Sequence, residues 1–280
     1  MPYALSGDGI RLYHEESGSG TALVFLHEFG GDHRSWEPQV REFSRNYRCV
    51  ITAARGFPPS DVPAEASSYS QQQAVEDVAA VLDSASIDRA FLIGNSMGAF
   101  AALHFALQYP DRTLGAVVAG GGYGAHPNQT QVFRRQTERL AATFEDYGSK
   151  IAAQEYGFGP ARVQFAGKDP RGHAEHVRIL SEHHPIGAAN TLRGVQGSRP
   201  SLYGMRDELA ACSSPVLVIA GDEDEMALDA SLMLKRTMPR SGLAVLPGSG
   251  HVTNLEEVLL FNTVLQRFIT AVENRSWKSG

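Results

Sequence analysis

The sequence predicts an α/β fold in which helices cover both faces of a mostly parallel sheet. Short, nearly continuous apolar runs alternate with segments of helical period over the first 123 residues and again after residue 212. Between them, about ninety residues lack a strand pattern and have helical periodicity. We therefore predict a core of residues 1–123 and 213–280, interrupted by a helical insertion over residues 124–212 at one end of the sheet.

After a first pair of consecutive strands, the strands and helices of the core are expected to alternate. Residues 70–85 illustrate the helical pattern, because Val75, Val78, Ala79 and Leu82 fall on one face. We predict strands over 11–16, 21–28, 48–54, 89–95, 114–122, 215–221 and 242–248. Predicted core helices cover 35–47, 70–85, 97–110, 229–238 and 254–273, and the clearest helices of the insertion cover 131–147 and 173–184.

Composition limits the function classes. The chain has 280 residues, 42% of them hydrophobic, a net charge of −6 and a pI near 5.9. An acidic chain gives no reason to expect nucleic acid as a partner, and no apolar run reaches the ~18 residues that span a bilayer. The first residues lack the cationic and apolar regions of a secretion signal, so we expect a cytoplasmic protein with no membrane partner.

The two cysteines, Cys49 and Cys212, form no CxxC or Cys/His spacing. This excludes a disulfide framework and a typical zinc site, and it suits a reducing compartment. The histidines at positions 173, 176, 183 and 184 are close in sequence but lack carboxylates at helical spacing. We expect neither a metal nor a cofactor.

The most informative motif is Gly94-Asn95-Ser96-Met97-Gly98, which lies between a predicted strand and a predicted helix. This G-x-S-x-G pattern forces a sharp turn, and small residues two positions either side of the serine let strand and helix approach. The turn holds the serine hydroxyl at the helix N-terminus, where partial positive charge favours an oxyanion. Ser96 is therefore the candidate nucleophile.

A serine nucleophile needs a base, and the base needs an acid that orients it. Among ten histidines, His251 is the best placed, in a loop of small residues after the last predicted strand. His27 and His104 are weaker candidates. Four acids follow strand 215–221, and Asp224 has room for the chain to turn back towards the sheet, while Asp222 remains an alternative.

These motifs resemble the α/β-hydrolase superfamily. "HEFGG", "GNSMG", "GDED" and "GSGH" occur in the order expected for that family, and "ARGFPPSD" is similar to the loop after its fourth strand. The resemblance covers the core on both sides of the insertion. It implies a Ser96–His251–Asp224 triad, with residues 124–212 as the cap, or lid. It also implies a small-molecule substrate, and it leaves the substrate and the oligomeric state open.

The loop "VFLHEFGG", residues 24–31, departs from the His-Gly-x-Gly pattern of the family. By the resemblance, the backbone N–H groups of Phe29 and Met97 form the oxyanion hole, and Glu28 replaces a glycine. Three uses of Glu28 are open. It can pair with a nearby cation, for which Arg55 in the neighbouring loop is the first candidate. It can accept hydrogen bonds from backbone N–H groups of the loop, or it can handle a substrate proton or water. Together with Asn95, Glu28 and Arg55 are possible modulators of the site.

The family resemblance favours hydrolysis of a small ester or related acyl compound. Two alternatives remain: a C–C bond hydrolase of the meta-cleavage-product type, and a ligand sensor on the same fold. Against the first alternative, Val252 follows His251 where those hydrolases tend to carry tryptophan. The insertion carries a net charge of +2 against −8 for the remainder, which weakly favours an anionic substrate. Aromatic residues of the segment are candidates for the cavity lining: Phe133, Phe144, Tyr147, Tyr156, Phe158, Phe165 and Tyr203.

Overall fold

The computed structural model describes residues 3–277, which contain one eight-stranded sheet. The strands are β1 (Tyr3–Leu5), β2 (Arg11–Ser17), β3 (Ala22–Leu26), β4 (Arg48–Thr52), β5 (Ala90–Asn95), β6 (Thr113–Ala119), β7 (Val216–Gly221) and β8 (Ser241–Leu246). Their order across the sheet is β1-β2-β4-β3-β5-β6-β7-β8. β2 pairs antiparallel with β1 and β4, and all other pairs are parallel. The predicted fold class is confirmed.

The centre of the sheet explains why its strands are apolar throughout. Val24 of β3 lies between Val50 of β4 and Leu92 of β5, and all five residues of β3 are buried. A parallel strand with a covered surface on each side has no solvent face, so its sequence does not alternate. Strand β1 was not predicted from the sequence, because three residues at a sheet edge give no periodicity.

The twelve α-helices of the described residues cover the sheet and form the insertion. They are α1 (Glu37–Phe43), α2 (Gln71–Ser84), α3 (Met97–Gln108), α4 (Pro127–Tyr147), α5 (Ser149–Gly157), α6 (Val163–Lys168), α7 (Pro170–Ser181), α8 (Pro185–Asn190), α9 (Arg206–Ala210), α10 (Glu225–Thr237), α11 (Thr253–Glu256) and α12 (Val258–Glu273). None of the helices within residues 3–277 is both long and apolar enough to cross a membrane.

Several predicted helices differ from the structure at their boundaries: helix 35–47 is shorter, as α1, helix 131–147 begins earlier, as α4, helix 173–184 lies at Pro170–Ser181, as α7, and two further differences follow β7 and β8. The predicted helix 254–273 is split into α11 and α12, because Glu257 adopts φ −134° and ψ 56°. Helix α10 begins at Glu225 rather than at residue 229, with Asp224 as its N-cap residue. Both differences lie beside loops that follow β7 and β8.

Side chains of β3 alternate between the two helix layers. Leu23 and Phe25 pack with Trp36, Phe261 and Phe268 on the face covered by α1 and α12. Val24 and Leu26 pack against residues of α2 and α3 on the other face. Between the two layers, the carboxyl ends of the parallel strands lie along one edge of the sheet. The loops after β3, β5, β7 and β8 emerge at that edge.

Between β6 and β7 the described chain contains only helices and loops, including a π-helical turn over Thr191–Gln196. The insertion buries Leu140 and Phe144 together with Phe29, Phe57 and Met97 of the core. It therefore covers the loops at the carboxyl ends of the strands. The division into a core of residues 1–123 and 213–280 and a cap of 124–212 remains a prediction.

Candidate active site

The turn between β5 and α3 holds Ser96 in a strained backbone conformation. Ser96 has φ 51° and ψ −110°, and its N–H donates to the carbonyl of Ala119 at 2.7 Å. A Cβ at Gly94 would lie 2.1 Å from the carbonyl oxygen of Gly98, and one at Gly98 would lie 2.0 Å from that of Leu26. The two glycines are therefore required by close backbone approach, and the turn can form only with them in place.

Asp224 and His251 come together from the loops after β7 and β8. Nδ1 of His251 lies 2.7 Å from Oδ2 of Asp224, and both side chains are buried. A carboxylate can only accept, so Nδ1 carries the proton and Nε2 keeps its lone pair. Asp222, the alternative acid, instead accepts from the N–H of Ser249 at 3.1 Å. The arrangement suits an imidazole that takes a proton at Nε2.

Tyr123 also contacts both members of this pair, although no motif in the sequence marks it. Its hydroxyl donates to Oδ1 of Asp224 at 2.9 Å, and its ring meets that of His251 at 4.5 Å between centroids, inclined at 60°. Burial and the Asp224 carboxylate raise the pKa of Tyr123 well above its usual value, so the phenol keeps its proton and remains a donor.

Glu256 and Asn95 hold the loop that carries His251. Glu256 accepts from the N–H of Gly250 at 2.7 Å through Oε2 and from the N–H of Val252 at 2.9 Å through Oε1. Nδ2 of Asn95 lies 3.4 Å from the carbonyl oxygen of His251. The residues flanking His251 are thus fixed by side chains from α11 and β5.

The two N–H groups of interest for an oxyanion, those of Phe29 and Met97, lie in the loop after β3 and at the start of α3. Phe29 lies in a turn closed by the Gly31 N–H and the Glu28 carbonyl at 3.3 Å, and its ring is fully buried. Met97 is the first residue of α3, where N–H groups lack acceptors within the helix. His27 braces the loop, because its Nδ1 lies 2.6 Å from the Glu28 carbonyl and its Nε2 accepts from the Ala54 N–H at 3.0 Å.

The expected pairing of Glu28 with Arg55 is wrong. Nη2 of Arg162, in the insertion, donates to Oε2 of Glu28 at 2.6 Å, and both side chains are 2% exposed. Oε1 of Glu28 lies 3.2 Å from Nε2 of His176. Burial raises the pKa of Glu28, but the charge of Arg162, together with a hydrogen bond from the backbone of Gly30, outweighs it, so that this pKa is lowered and the carboxylate is ionised.

Arg55 faces away from Glu28 and is neutralised elsewhere. Its Nη1 lies 2.7 Å from Oδ2 of Asp8, and its Nη2 lies 2.7 Å from Oδ1 of Asp77. It also donates to the carbonyl of Ser68 at 2.8 Å. Arg55 therefore ties the loop after β4 to α2 and does not reach the site.

The histidines of the insertion have separate surroundings. His173 lies 2.7 Å from the carbonyl of Gly157, His183 packs against the rings of Phe29 and Phe57, and His184 is exposed. Burial lowers the pKa of His176 to about 4 and that of His183 to about 3, so both rings are neutral. Across residues 3–277, no three His, Cys, Asp or Glu side chains are grouped so as to hold a metal ion.

A cavity of about 440 Å³ lies beside Ser96 and His251. The core contributes Ser96, Tyr123 and His251 to its wall, and the insertion contributes mainly apolar and aromatic side chains with one guanidinium: Phe133, Leu140, Tyr156, Arg162 and Leu192. Of the aromatic candidates, Phe133 and Tyr156 line the cavity, Phe144 and Phe165 are buried outside its lining, and Tyr147 and Phe158 are exposed. The cavity suits a small, partly apolar ligand.

The fold is that of the α/β hydrolases, and the comparisons with known proteins agree. The family described as the alpha/beta hydrolase fold matches residues 21–157. The chain belongs to the α/β-hydrolase superfamily of enzymes.

Individual relatives differ in the reaction for which they are named. A 2-hydroxy-6-oxo-6-phenylhexa-2,4-dienoate hydrolase of Burkholderia cepacia is 27% identical over 275 residues, which cover 92% of this chain and 91% of that protein. A thermophilic esterase of Thermogutta terrifontis has a TM-score of 0.85 at 23% identity, covering 96% of this chain and 98% of its own. An enzyme described as degrading N-acyl homoserine lactones has a TM-score of 0.78 at 26% identity, over 95% of this chain and 100% of its own.

Proposed function

We propose that the chain is a serine hydrolase that cleaves a small ester or related acyl compound through an acyl-enzyme. The observation that carries the proposal is the convergence of Ser96, His251 and Asp224 on one cavity. Ser96 and His251 line it, and Asp224 lies 2.7 Å behind the imidazole. A serine at a strained strand–helix turn beside a paired imidazole is the arrangement that activates a hydroxyl for acyl transfer.

In this mechanism, Oγ of Ser96 attacks the carbonyl carbon while Nε2 of His251 takes the hydroxyl proton. The oxyanion accepts hydrogen bonds from the N–H groups of Phe29 and Met97, and Asp224 stabilises the imidazolium. His251 then protonates the leaving alcohol, which departs as the C–O bond breaks. Water, activated by the same imidazole, releases the acid and restores Ser96. No cofactor enters these steps.

The helical insertion acts in this proposal as the cap over the site. Phe133, Leu140, Tyr156 and Leu192 supply the apolar part of the cavity wall. A volume near 440 Å³ favours an acyl group of modest length. The substrate is a small molecule, and the cap is the part of the chain that would select it.

Hydrolysis of p-nitrophenyl esters of increasing acyl length tests the proposal, with wild type beside Ser96→Ala. We expect turnover that depends on Ser96, with kcat/KM declining once the acyl chain outgrows the cavity. Ester turnover that persists in Ser96→Ala would contradict the assignment of the nucleophile. A folded wild type that is modified once and does not turn over would favour a ligand sensor instead.

C–C bond hydrolysis is the second candidate. The Burkholderia cepacia relative matches over most of both chains and is named as a dienoate hydrolase. The same Ser96–His251 pair would serve a vinylogous diketone. Oγ of Ser96 would add to its carbonyl, the C–C bond would break as the departing dienolate carbon takes a proton, and water would then release the acid from Ser96. Turnover of a 2-hydroxy-6-oxo-dienoate at a kcat/KM well above that of every p-nitrophenyl ester would favour this candidate over ester hydrolysis.

A further inference from the structure

Arg162 places a guanidinium in the wall of the cavity that Ser96 and His251 share. It ends a 3₁₀ turn over Pro160–Arg162 in the helical insertion, directly before α6, and its side chain is 2% exposed. An ionised arginine this deep in the protein is costly unless its donors are satisfied. The position therefore calls for a reason beyond packing.

The surroundings of Arg162 hold its guanidinium in one orientation. Nη2 donates to Oε2 of Glu28 at 2.6 Å and lies 3.3 Å from the hydroxyl of Tyr156, and the guanidinium carbon lies 5.0 Å from the centre of the Tyr156 ring. Nε is buried and finds no hydrogen-bond acceptor among residues 3–277. A fixed guanidinium with a donor to spare is suited to a ligand that brings its own acceptor.

The carboxylates around the cavity are already occupied. Asp224 binds His251 and Tyr123, and Glu28 binds Arg162. Glu155, also in the wall, is paired with Arg139 at 2.8 Å.

A second buried cation, Arg199, stands close by without a carboxylate partner within residues 3–277. The carbon of its guanidinium lies 3.5 Å from the centre of the Phe100 ring, and Nη2 donates to the Tyr123 carbonyl at 2.5 Å. Arg199 is thus a second buried cation, beside the Tyr123 wall of the cavity, that no carboxylate side chain neutralises within residues 3–277.

We propose that the substrate carries a carboxylate close to its scissile acyl group, that Arg162 binds this carboxylate, and that Glu28 positions Arg162 and attenuates its charge. The inference rests on the proposed function, because it assumes that the bond cleaved lies beside Ser96. Glu28 then has a role that its place in the oxyanion loop alone did not explain. It fixes the cation of the cap to the loop that carries Phe29.

Two esters with the same four-carbon acyl chain test this proposal: p-nitrophenyl butyrate, which ends in a methyl group, and p-nitrophenyl hydrogen succinate, which ends in a carboxylate. For wild type we expect kcat/KM to favour the succinate ester by about tenfold, the ratio that one good charge-assisted contact supplies. Arg162→Gln should abolish the preference. Glu28→Gln should increase the preference, because no neighbouring carboxylate then offsets the positive charge of Arg162.

Removing one member of a buried ion pair can unfold a protein, so the double variant Glu28→Gln/Arg162→Gln is included. It leaves no unpaired buried charge, and it should also lack the preference. Arg171→Gln, which changes an exposed arginine of the same insertion, is the matched control and should keep the wild-type ratio. A preference for the succinate ester that survives in Arg162→Gln and in the double variant would overturn the proposal, as would its absence in wild type.

A binding measurement separates this inference from the proposed function. Calorimetric titration of the Ser96→Ala protein with succinate and with butyrate needs no turnover. We expect succinate to bind about tenfold more tightly, with the difference lost in Ser96→Ala/Arg162→Gln. If neither ester is hydrolysed but this difference is seen, ester hydrolysis fails and the carboxylate site stands. Equal binding of the two acids would overturn the site whatever the esters do.

Discussion

Tyr123 and Asp224 are joined by a hydrogen bond of 2.9 Å from the phenol to Oδ1, which leaves Oδ2 for His251 at 2.7 Å. The carboxylate of Asp224 is thus held at both oxygens. Tyr123 lies 101 residues before Asp224 in the chain, and His251 lies 27 residues after it. The ring of Tyr123 also lies edge-on against the imidazole. Tyr123 is therefore placed to fix the orientation of the acid–base pair.

Tyr123→Phe removes this hydrogen bond and keeps the ring. We expect kcat to fall about tenfold, since a hydrogen bond to a charged group contributes about 1.5–3 kcal/mol, part of which other contacts of Asp224 will retain. KM should change little, because the ring still lines the cavity. Steady-state kinetics on a p-nitrophenyl ester measures both constants. Tyr147→Phe, at an exposed tyrosine, is the control, and an unchanged kcat in Tyr123→Phe would refute this role.

Glu256→Ala should loosen the loop that presents His251. The substitution leaves the buried N–H groups of Gly250 and Val252 without their acceptor. We expect the free energy of unfolding to drop by about 2–4 kcal/mol and kcat to drop with it. Urea denaturation and ester kinetics provide the two readings. Glu273→Ala, at an exposed position of α12, should change neither, and equal effects of the two substitutions would contradict the account.

The Arg55–Asp77 pair offers a comparison between a buried and an exposed ion pair of equal length. Arg55–Asp77 and Arg112–Asp83 both measure 2.7 Å, but the first is buried and Asp83 is largely exposed. Asp77→Asn should lower the free energy of unfolding by about 2 kcal/mol, because Arg55 keeps only Asp8 as a charged partner. Asp83→Asn should cost less than about 1 kcal/mol. Denaturation curves with similar losses for both variants would argue against burial as the cause.

His183 predicts how stability depends on pH. Burial lowers its pKa to about 3, against about 6.5 in the unfolded chain. Below pH 6.5 the unfolded chain takes up a proton that the folded protein refuses, so stability is full above pH 6.5 and is lost as the pH falls towards 3. His183→Gln should reduce the loss between pH 6 and pH 5 by about 1 kcal/mol, measured as the change in unfolding free energy with urea.

His184→Gln is the matched control, because the neighbouring ring is exposed to water in the folded protein. Its pH dependence should equal that of wild type. If the unfolding free energy of His183→Gln had the same pH dependence as that of wild type, burial of the His183 ring would not be the cause of the loss of stability.

The sequence was sufficient for the fold because buried parallel strands leave unbroken apolar runs such as residues 22–26. It also indicated Ser96, because the elbow needs two glycines at fixed spacing. Strand β1 escaped prediction because its three residues are too few for a periodicity. The split between α11 and α12 depends on one residue, Glu257, whose conformation no local signal reveals.

The remaining groups of the site could not be read from the sequence. Tyr123, Arg162 and Glu256 act through contacts that the folded chain creates, and none stands in a motif. Arg55 was chosen as the partner of Glu28 because their loops follow neighbouring strands. Its side chain instead reaches Asp8 and Asp77, since two carboxylates on that side satisfy it more fully. The partner of Glu28 comes from the insertion, 134 residues along the chain.

The central claim, that Ser96 is a nucleophile activated by His251, is tested most directly by covalent trapping. An alkyl p-nitrophenyl phosphonate is added to wild type, Ser96→Ala and His251→Ala, and the modified peptide is identified by mass spectrometry. We expect one adduct per chain on Ser96, none in Ser96→Ala, and labelling slowed by at least about a hundredfold in His251→Ala. Labelling of a different residue, or labelling of Ser96 that is as fast without His251, would contradict it.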